Sequence, residues 1–318
     1  PDLVAASDSG SSNTDNITNV TTPTFTISCE TGATVTLRAG MTMVGTGTCV
    51  AGSASITSSV LVEGTYSLTA IQADVAGNVS AASGALSVTI DTTVAAPGVP
   101  DLVAASDSGS SNTDNITNVT TPTFTLTCET GSTVRLFAGA SQVASGTCGG
   151  GGTVNLTSSA LADGTYAMTA TQTDVAGNTS VASAPLSVTI DTTAAVPGAP
   201  DLADASDTGI SNTDNITNIT TPTFNIACEP GSTVELREGA TVRGSGTCPA
   251  GGVIAITSAA LGTGSRTLTA RQTDLAGNTS GNSPSITITI DTAAPAAPGT
   301  PDLVAASDSG SSNTDNIT

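Results

Sequence analysis

Acidic side chains recur at fixed positions along this sequence, and their types and spacing could bind a metal ion. Asp8, Asn13 and Asp15 surround Gly10, and the stretch returns about every 100 residues. Carboxylate, amide and carbonyl oxygens are the ligands that Ca²⁺ prefers, and it takes about six to eight of them. The spacing is not that of an EF-hand. We therefore predict calcium as the cofactor, held by a subset of these residues: Asp8, Asp15, Asp74, Asp91, Asp101, Asp107, Asp114, Asp174, Asp191, Asp201, Asp207, Asp214, Asp274, Asp291 and Asp302.

Two plainer interpretations of these carboxylates stay open. A scattered negative charge keeps a protein soluble, and Asp and Asn in loops often make local turns with their own backbone. Metal sites completed within one repeat are a further alternative. Related acidic positions that also recur are Asp2, Asp308, Asp315, Glu30, Glu129 and Glu229.

The cysteines follow the same repetition. They fall into three pairs, and the two members of each pair are 20 positions apart: Cys29 and Cys49, Cys128 and Cys148, Cys228 and Cys248. A zinc site needs about four ligands, usually in close pairs, and histidine is absent. One disulfide in each repeat fits better and indicates an oxidising, extracytoplasmic compartment. Free buried thiols are the alternative.

Composition excludes several classes of function. The chain carries 26 carboxylates against six basic residues, without histidine, for a net charge of −20. Nucleic-acid binding requires clustered Lys and Arg, and an anionic membrane surface would repel this chain. Without histidine or lysine, only carboxylates remain as general bases. We predict no enzyme, no catalytic residues and no membrane insertion in this segment.

The chain repeats one segment three times and begins a fourth. The run that opens at Pro1 returns at Pro100, Pro200 and Pro301, and a period of about 100 residues is a whole domain. We predict repeat 1 over 1–98, repeat 2 over 99–198, repeat 3 over 199–299 and the start of a fourth repeat over 300–318. We expect the array to continue in a longer chain, with targeting information elsewhere.

Short alternating segments in each repeat predict an all-β fold. In repeat 1 the predicted strands are Leu3–Ser7, Thr24–Cys29, Thr34–Leu37, Val44–Cys49, Ala54–Thr57, Tyr66–Ala70 and Leu86–Ile90, with a polar loop over Asp8–Asn19. About seven such strands per 100 residues predict an immunoglobulin-like sandwich. Tyr166 is expected to form a tyrosine corner, which repeat 3 lacks because it carries Arg266.

Three motifs carry a family resemblance. They are Ser7–Asn19 followed by Thr22–Phe25, the turn Asp74–Asn78, and the ending Ile90–Thr93. Together they resemble the bacterial immunoglobulin-like repeats of large surface adhesins, including biofilm-associated and RTX-type adhesins. The resemblance implies extender domains on the bacterial cell surface, stiffened by calcium between repeats, with other regions binding the adhesion target. The cysteine pair departs from many such repeats.

Sandwich topology predicts which loops meet between repeats. Asp8, Asp15 and Asp91 are expected at the C-terminal end of repeat 1. Asp101, Glu129, Asp174 and Asn178 are expected at the N-terminal end of repeat 2. The two half-sites would then face each other and share calcium. The alternative function is an array of carbohydrate- or surface-binding modules acting by avidity.

The sequence predicts an elongated rod of tandem domains. Strands of roughly ten residues at about 3.3 Å per residue give some 35–45 Å per repeat with its linker. Small-angle scattering should therefore report a maximum dimension above about 100 Å for three repeats. A dimension near that of a sphere of the same mass would contradict the rod.

Overall fold

The computed structural model describes residues 1–308, 311–312 and 314–317. Residues 309, 310, 313 and 318 of the predicted fourth repeat lie outside the described residues. Among the described residues, no helix is long and apolar enough to cross a membrane. The chain divides into two compact units, one of Pro1–Ala194 with Thr273–Thr279 and one of Ala195–Gln272 with Ser280–Thr318.

Repeat 1, in the first unit, is a two-layer sandwich of eight strands. One sheet has the order β1-β3-β6 and the other the order β2-β8-β7-β4-β5. The strands are β1 (Asp2–Leu3), β2 (Ile17–Thr18), β3 (Thr24–Ser28), β4 (Thr34–Ala39), β5 (Thr42–Thr48), β6 (Ser53–Thr57), β7 (Gly64–Ala73) and β8 (Leu86–Ile90). This pairing confirms the predicted immunoglobulin-like fold.

Repeat 2 has the same arrangement. Its strands are β9 (Asp101–Leu102), β10 (Ile116–Thr117), β11 (Thr123–Thr127), β12 (Thr133–Ala138), β13 (Ser141–Thr147), β14 (Thr153–Thr157), β15 (Gly164–Thr173) and β16 (Leu186–Ile190). They form sheets of order β14-β11-β9 and β10-β16-β15-β12-β13. The domain boundaries proposed from the sequence stay predictions.

Repeat 3 repeats these two sheets with the orders β17-β19-β22 and β18-β24-β23-β20-β21. Its strands are β17 (Asp201–Leu202), β18 (Ile216–Thr217), β19 (Thr223–Ala227), β20 (Thr233–Glu238), β21 (Thr241–Thr247), β22 (Val253–Thr257), β23 (Gly264–Thr273) and β24 (Ile286–Ile290). The fold class is therefore the same in all three repeats.

Alternation along the strands builds one core in each repeat. Phe25 and Ile27 of β3 point inward with Val35 and Leu37 of β4, because side chains of a strand alternate between its two faces. Phe25, Phe124 and Phe224 are fully buried, one in each core. Bulk in the interior therefore comes from one aromatic ring surrounded by aliphatic side chains.

The predicted first strand, Leu3–Ser7, is wrong. Pairing with β3 ends after β1, and the chain turns at once, with Ser7 N–H and Asp8 N–H both donating to the Val4 carbonyl. The predicted polar loop instead contains β2, whose Ile17 and Thr18 pair in parallel with β8 in the other sheet. The first strand thus switches sheets.

Other strand boundaries differ by a few residues. The strand predicted over Tyr66–Ala70 extends over Gly64–Ala73, and the one predicted over Val44–Cys49 spans Thr42–Thr48. The strand predicted over Leu86–Ile90 has the same bounds in the structure. The extensions occur where backbone pairing with neighbouring strands continues beyond the residues predicted from the sequence.

A side chain near the start of β7 forms a hydrogen bond to the loop that precedes this strand. The Tyr66 hydroxyl donates to the Val62 carbonyl at 2.9 Å, and Tyr166 donates to the Ala162 carbonyl at 3.0 Å. In repeat 3, Arg266 Nε donates to the equivalent Gly262 carbonyl at 2.9 Å. The corner contact therefore persists where the sequence predicted its loss.

The three predicted disulfides are confirmed: Cys29–Cys49, Cys128–Cys148 and Cys228–Cys248. In repeat 1, Cys29 follows β3 of the three-stranded sheet and Cys49 follows β5 of the five-stranded sheet. Each bond therefore ties the two layers of a sandwich together.

Replacing Cys128 and Cys148 by Ala should lower the free energy of unfolding of repeat 2 by about 3 kcal/mol, because the bond closes a loop of about 20 residues in the unfolded chain. Denaturant unfolding of the variant and the parent measures this difference. Parent protein with a reductant serves as the control and should approach the variant. Unchanged midpoints in both would contradict the prediction.

Candidate metal centre where repeat 1 meets repeat 2

Three carboxylates from different loops meet in the first compact unit. Asp91 directly follows β8, Glu129 lies two residues after β11, and Asp174 directly follows β15. One carboxylate oxygen from each lies within 4.8 Å of the others. We call these three residues the junction group. Asp174 is buried, Asp91 is half-buried and Glu129 is exposed.

Asp174 is fixed by its own turn. Its Oδ1 accepts a hydrogen bond from Asn178 N–H and its Oδ2 accepts one from Asn178 Nδ2, both at 2.8 Å. Gly177 supplies a left-handed backbone conformation, with φ at 95°, which glycine adopts without steric penalty. The carboxylate of Asp174 is therefore held by a residue four positions further along its own turn, and it is preorganised.

Asn178 also joins the two repeats. Its Nδ2 donates to the Asp91 carbonyl at 2.9 Å, so one amide group contacts both Asp91 and Asp174. The same contact recurs within this unit, where Asn278 Nδ2 donates to the Asp191 carbonyl at 2.8 Å. The predicted position of Asn178 beside the end of repeat 1 agrees with this contact.

Sequence reasoning missed a glutamine beside this group. Gln172 Oε1 accepts from Glu129 N–H at 2.9 Å, and Gln172 Nε2 donates to the linker carbonyl of Ala95 at 2.9 Å. In the second unit, Gln272 makes the same two contacts, with Glu229 and Ala195. Recurrence at the same place in each repeat is the signal that could have identified it.

The junction group carries unfavourable like charge. Partial loss of hydration raises the pKa of Glu129 although its side chain is exposed, and the negative charges of Asp174 and Asp91 raise it further. A cation bound between these carboxylates would reverse that repulsion. Three hard oxygen donors, one of them buried, match the ligands that Ca²⁺ takes in proteins. The residues present therefore fit a divalent cation.

A second acidic group lies inside each repeat. In repeat 1 it consists of Asp2, Asp8 and Asp15, which we call the loop group. Asp8 is only 4% exposed, and its Oδ2 accepts from Asn16 N–H at 3.1 Å. Its Oδ1 is buried without a hydrogen-bond partner among the described residues. Such an oxygen is costly to bury unless a cation or a proton satisfies it.

The environment of Asp8 is closed and acidic. Burial raises its pKa, the hydrogen bond from Asn16 opposes this, and the charge of Asp15 adds to the rise. Asp2, Asp8, Asn13 and Asn16 line one cavity of about 260 Å³. In repeat 2 the corresponding cavity is about 240 Å³ and is lined by Asp101, Asp107, Asn112 and Asn115.

The facing half-sites proposed between repeats stay a prediction, and the structure divides their members between two groups. Asp101 lies opposite Thr125 in the middle of β11 and lines a cavity with Asp107 of its own repeat. Asp8 and Asp15 likewise belong to the loop group, whereas Asp91 joins Glu129 and Asp174. The cause is the two-residue length of β1 and β9, which places Asp2 and Asp101 beside the polar loop.

The remaining predicted ligands occupy equivalent positions. Oδ2 of Asp207 and of Asp308 accepts from Asn215 N–H and Asn316 N–H respectively, as Asp8 does from Asn16. In repeat 1, Asp74 shares a cavity of about 210 Å³ with Glu30 and Asn78. Hydrogen bonds from the Asn78 side chain and backbone lower the pKa of Asp74. Asx turns bind one oxygen of each of these residues: Asp15, Asp91, Asp114, Asp191, Asp214 and Asp291. Both oxygens of Asp274 accept from Asn278, as those of Asp174 do from Asn178. Asp201 lies in β17 and Asp302 is exposed.

Comparison with known proteins identifies the type of domain. Residues 1–92, 93–192 and 193–292 each match a family model described as a bacterial Ig-like domain. No curated protein sequence matched the chain.

Solved structures give only distant likenesses. A 1.5-MDa bacterial ice-binding adhesin is 16% identical over 87% of this chain and 93% of its own, with a TM-score of 0.37. The BSP domain of a biofilm associated protein is 14% identical over 84% of this chain and 61% of its own, with a TM-score of 0.24. Fibronectin(III)-like modules of Clostridium thermocellum CbhA are 15% identical over 55% of this chain and 87% of their own, with a TM-score of 0.33. All three TM-scores lie below 0.5, so these likenesses carry no weight for function.

Glu129→Gln should stabilise the metal-free chain at neutral pH by less than about 1 kcal/mol, because it removes a solvent-screened like charge. The raised pKa means that folded protein binds this proton more tightly than unfolded protein, so the parent loses stability as pH rises above the ordinary value of 4.5. Unfolding free energies across that pH range in chelator measure the effect.

Glu30→Gln, the same change in repeat 1, is the matched control and should alter this pH dependence less. An equal effect of the two substitutions, or a destabilising effect of Glu129→Gln, would contradict the prediction.

Proposed function

This chain belongs to the bacterial Ig-like domain family, and on that premise we propose that it is a structural extender segment of a bacterial surface adhesin or extracellular fibre. The observation that carries the proposal is the junction group, which joins carboxylates of two successive repeats around one point. A domain repeated with a built contact to its neighbour suits a spacer. Its partners are then neighbouring repeats, and other regions of the longer protein bind the adhesion target.

Calcium at the repeat ends is part of this proposal. Asp91, Glu129 and Asp174 would hold one ion, and Asp8 with Asp15 of the loop group would hold another. Two unit charges at about 4 Å repel by roughly 1 kcal/mol in water and about 4 kcal/mol at an effective dielectric of 20. An ion shared by both repeats would replace this repulsion with common ligands and stiffen the contact.

The fate of the reactive side chains supports a non-enzymatic role. The six cysteines form disulfides, so they cannot act as nucleophiles. The sequence contains no histidine, and its titratable groups are almost entirely carboxylates. Disulfides also form and persist in oxidising compartments. These features agree with an extracellular location on the bacterial surface.

The alternative, an array of carbohydrate-binding modules, lacks a specific observation in its favour. Such modules usually display aromatic rings to the sugar. Phe25, Phe124 and Phe224 are fully buried, and the Tyr66 and Tyr166 hydroxyls bond to backbone carbonyls. These five aromatic side chains therefore serve the fold, and the sixth, Phe137, is half-buried in β12.

Millimolar calcium should raise the melting temperature and reduce the flexibility of the chain relative to chelator. Binding to the folded state alone adds about 2.7 kcal/mol per site at a hundredfold excess over Kd. Asp91→Asn and Asp174→Asn should each remove the share of the calcium-dependent increase that the junction group supplies, while melting normally in chelator. Calorimetry and small-angle scattering measure stability and flexibility.

Asp163→Asn is the matched control, because this carboxylate accepts from Thr192 at 2.8 Å and lies outside both acidic groups. It should keep the full calcium response. Identical melting curves and scattering profiles in chelator and in calcium would overturn the calcium part of the proposal.

A further inference from the structure

The turn after β15 begins at Asp174 of the junction group, and its middle residues are inserted against a loop of the preceding repeat. This turn spans Asp174–Asn178, and the loop that receives it is Ser9–Ser11. Ser11 N–H donates to the Val175 carbonyl at 3.1 Å. Ser9 Oγ donates to the Ala176 carbonyl at 2.7 Å. Both contacts use backbone carbonyls of the turn.

Glycine is required on both sides of this contact. A Cβ on Gly10 would lie 1.9 Å from the Val175 carbonyl oxygen, closer than any real contact. A Cβ on Gly177 would lie 3.1 Å from the Gly10 Cα. Both glycines have positive φ, 99° and 95° respectively, so two backbones approach where side chains have no room.

The Ser9 hydroxyl is held in place within its own repeat. Asn19 N–H donates to Ser9 Oγ at 2.8 Å, and the hydroxyl has two acceptors within reach, the Ala176 carbonyl at 2.7 Å and Asn19 Oδ1 at 2.8 Å. The contact between the two repeats also buries the turn. Ala176 is fully buried, whereas Ala76 in the equivalent turn of repeat 1 is exposed.

The same interaction occurs a second time in the first compact unit. Ser110 N–H donates to the Leu275 carbonyl at 3.2 Å, and Ser108 Oγ donates to the Ala276 carbonyl at 2.8 Å. A Cβ on Gly109 would again lie 1.9 Å from the opposing carbonyl oxygen. Leu275 replaces Val175 without changing the contact, because only the backbone is recognised.

We propose that the Ser-Gly-Ser loop is a docking site for the Asp-x-Ala-Gly-Asn turn of a following repeat, and that this contact joins repeats without a metal ion. The partner is another bacterial Ig-like repeat that carries the turn. Thr208, Gly209 and Ile210 form the corresponding loop of repeat 3, and no described atom lies within 4 Å of a Cβ placed on Gly209. That loop is an open copy of the site. The inference goes beyond the extender function and does not depend on calcium.

Amide hydrogen exchange of the 318-residue chain in chelator tests the docking directly. Ser11 and Ser110 N–H should exchange slowly in the parent. Gly10→Ala should accelerate Ser11 at least about tenfold, since it removes two hydrogen bonds, and should leave Ser110 protected. Gly109→Ala should accelerate exchange of the Ser110 amide and leave the Ser11 amide protected.

Gly209→Ala is the matched control, because Gly209 also has a positive φ, 116° against 99° for Gly10, and no described atom lies within 4 Å of a Cβ placed on it. It carries comparable local strain and should leave both amides protected. Slow exchange in the strands of each core verifies that all variants fold. Equal effects of Gly10→Ala and Gly209→Ala on Ser11 would overturn the proposal.

Ser9→Ala provides a milder change, paired with Thr208→Val as its control. Both remove a hydroxyl that accepts from an asparagine backbone N–H within the loop, but only Ser9 donates to another repeat. Ser9→Ala should therefore accelerate Ser11 exchange and Thr208→Val should not. A Ser11 amide that is protected in calcium and unprotected in chelator would overturn metal-free docking while supporting the calcium site. Protection of the Ser11 amide in calcium and in chelator alike, without any effect of calcium on melting, would support metal-free docking and contradict the calcium site.

Discussion

Each repeat depends on the passage of its first strand from one sheet to the other. β1 pairs with β3 for two residues, and β2 pairs with β8 in the opposite sheet. The loop between them must cross the edge of the sandwich. Asp8 is buried in this loop, and hydrogen bonds fix the conformation of the loop there. Its Oδ2 accepts from Asn16 N–H, and Thr18 Oγ1 donates to the Ser7 carbonyl at 2.6 Å. Asp91 is placed by the same crossing, because its N–H donates to the Thr18 carbonyl. The passage of the first strand between the sheets therefore positions both the candidate metal ligands and the docking loop.

In both acidic groups loss of hydration is the largest cause of a raised pKa, but the groups differ in which repeats supply their members. In the loop group, burial is the main cause of the raised pKa of Asp8, and one oxygen lacks a partner among the described residues. In the junction group, a buried and well hydrogen-bonded Asp174 stands beside the exposed Glu129, whose pKa is raised. The loop group therefore affects the stability of a single repeat, whereas the junction group affects the contact between two.

Much of this could be predicted because it depends on local pattern. The alternation of apolar and polar residues predicted that Phe25 and Ile27 point inward. The equal spacing of the cysteines predicted which of them pair. The membership of the acidic groups could not be predicted in the same way. A two-residue pairing such as β1 or β9 has no periodicity, so the position of Asp101 opposite Thr125, in the middle of β11, could not be predicted from the pattern. Contacts of Gln172 and Gly10 arise between residues far apart in sequence, and a glycine in a loop does not reveal which backbone it faces.

The disulfide has a consequence for a chain that is pulled from its ends. Cys29 and Cys49 are 20 residues apart in sequence, and their Cα atoms are 5.9 Å apart. Tension applied along the backbone would pass through the sulfur bridge, so the hairpin of β4 and β5 between the cysteines would never be stretched. A repeat unravelled by force would therefore be shorter by roughly 60 Å than one without the bridge, at about 3.4 Å per extended residue. Each repeat thus has a built-in limit on its extension.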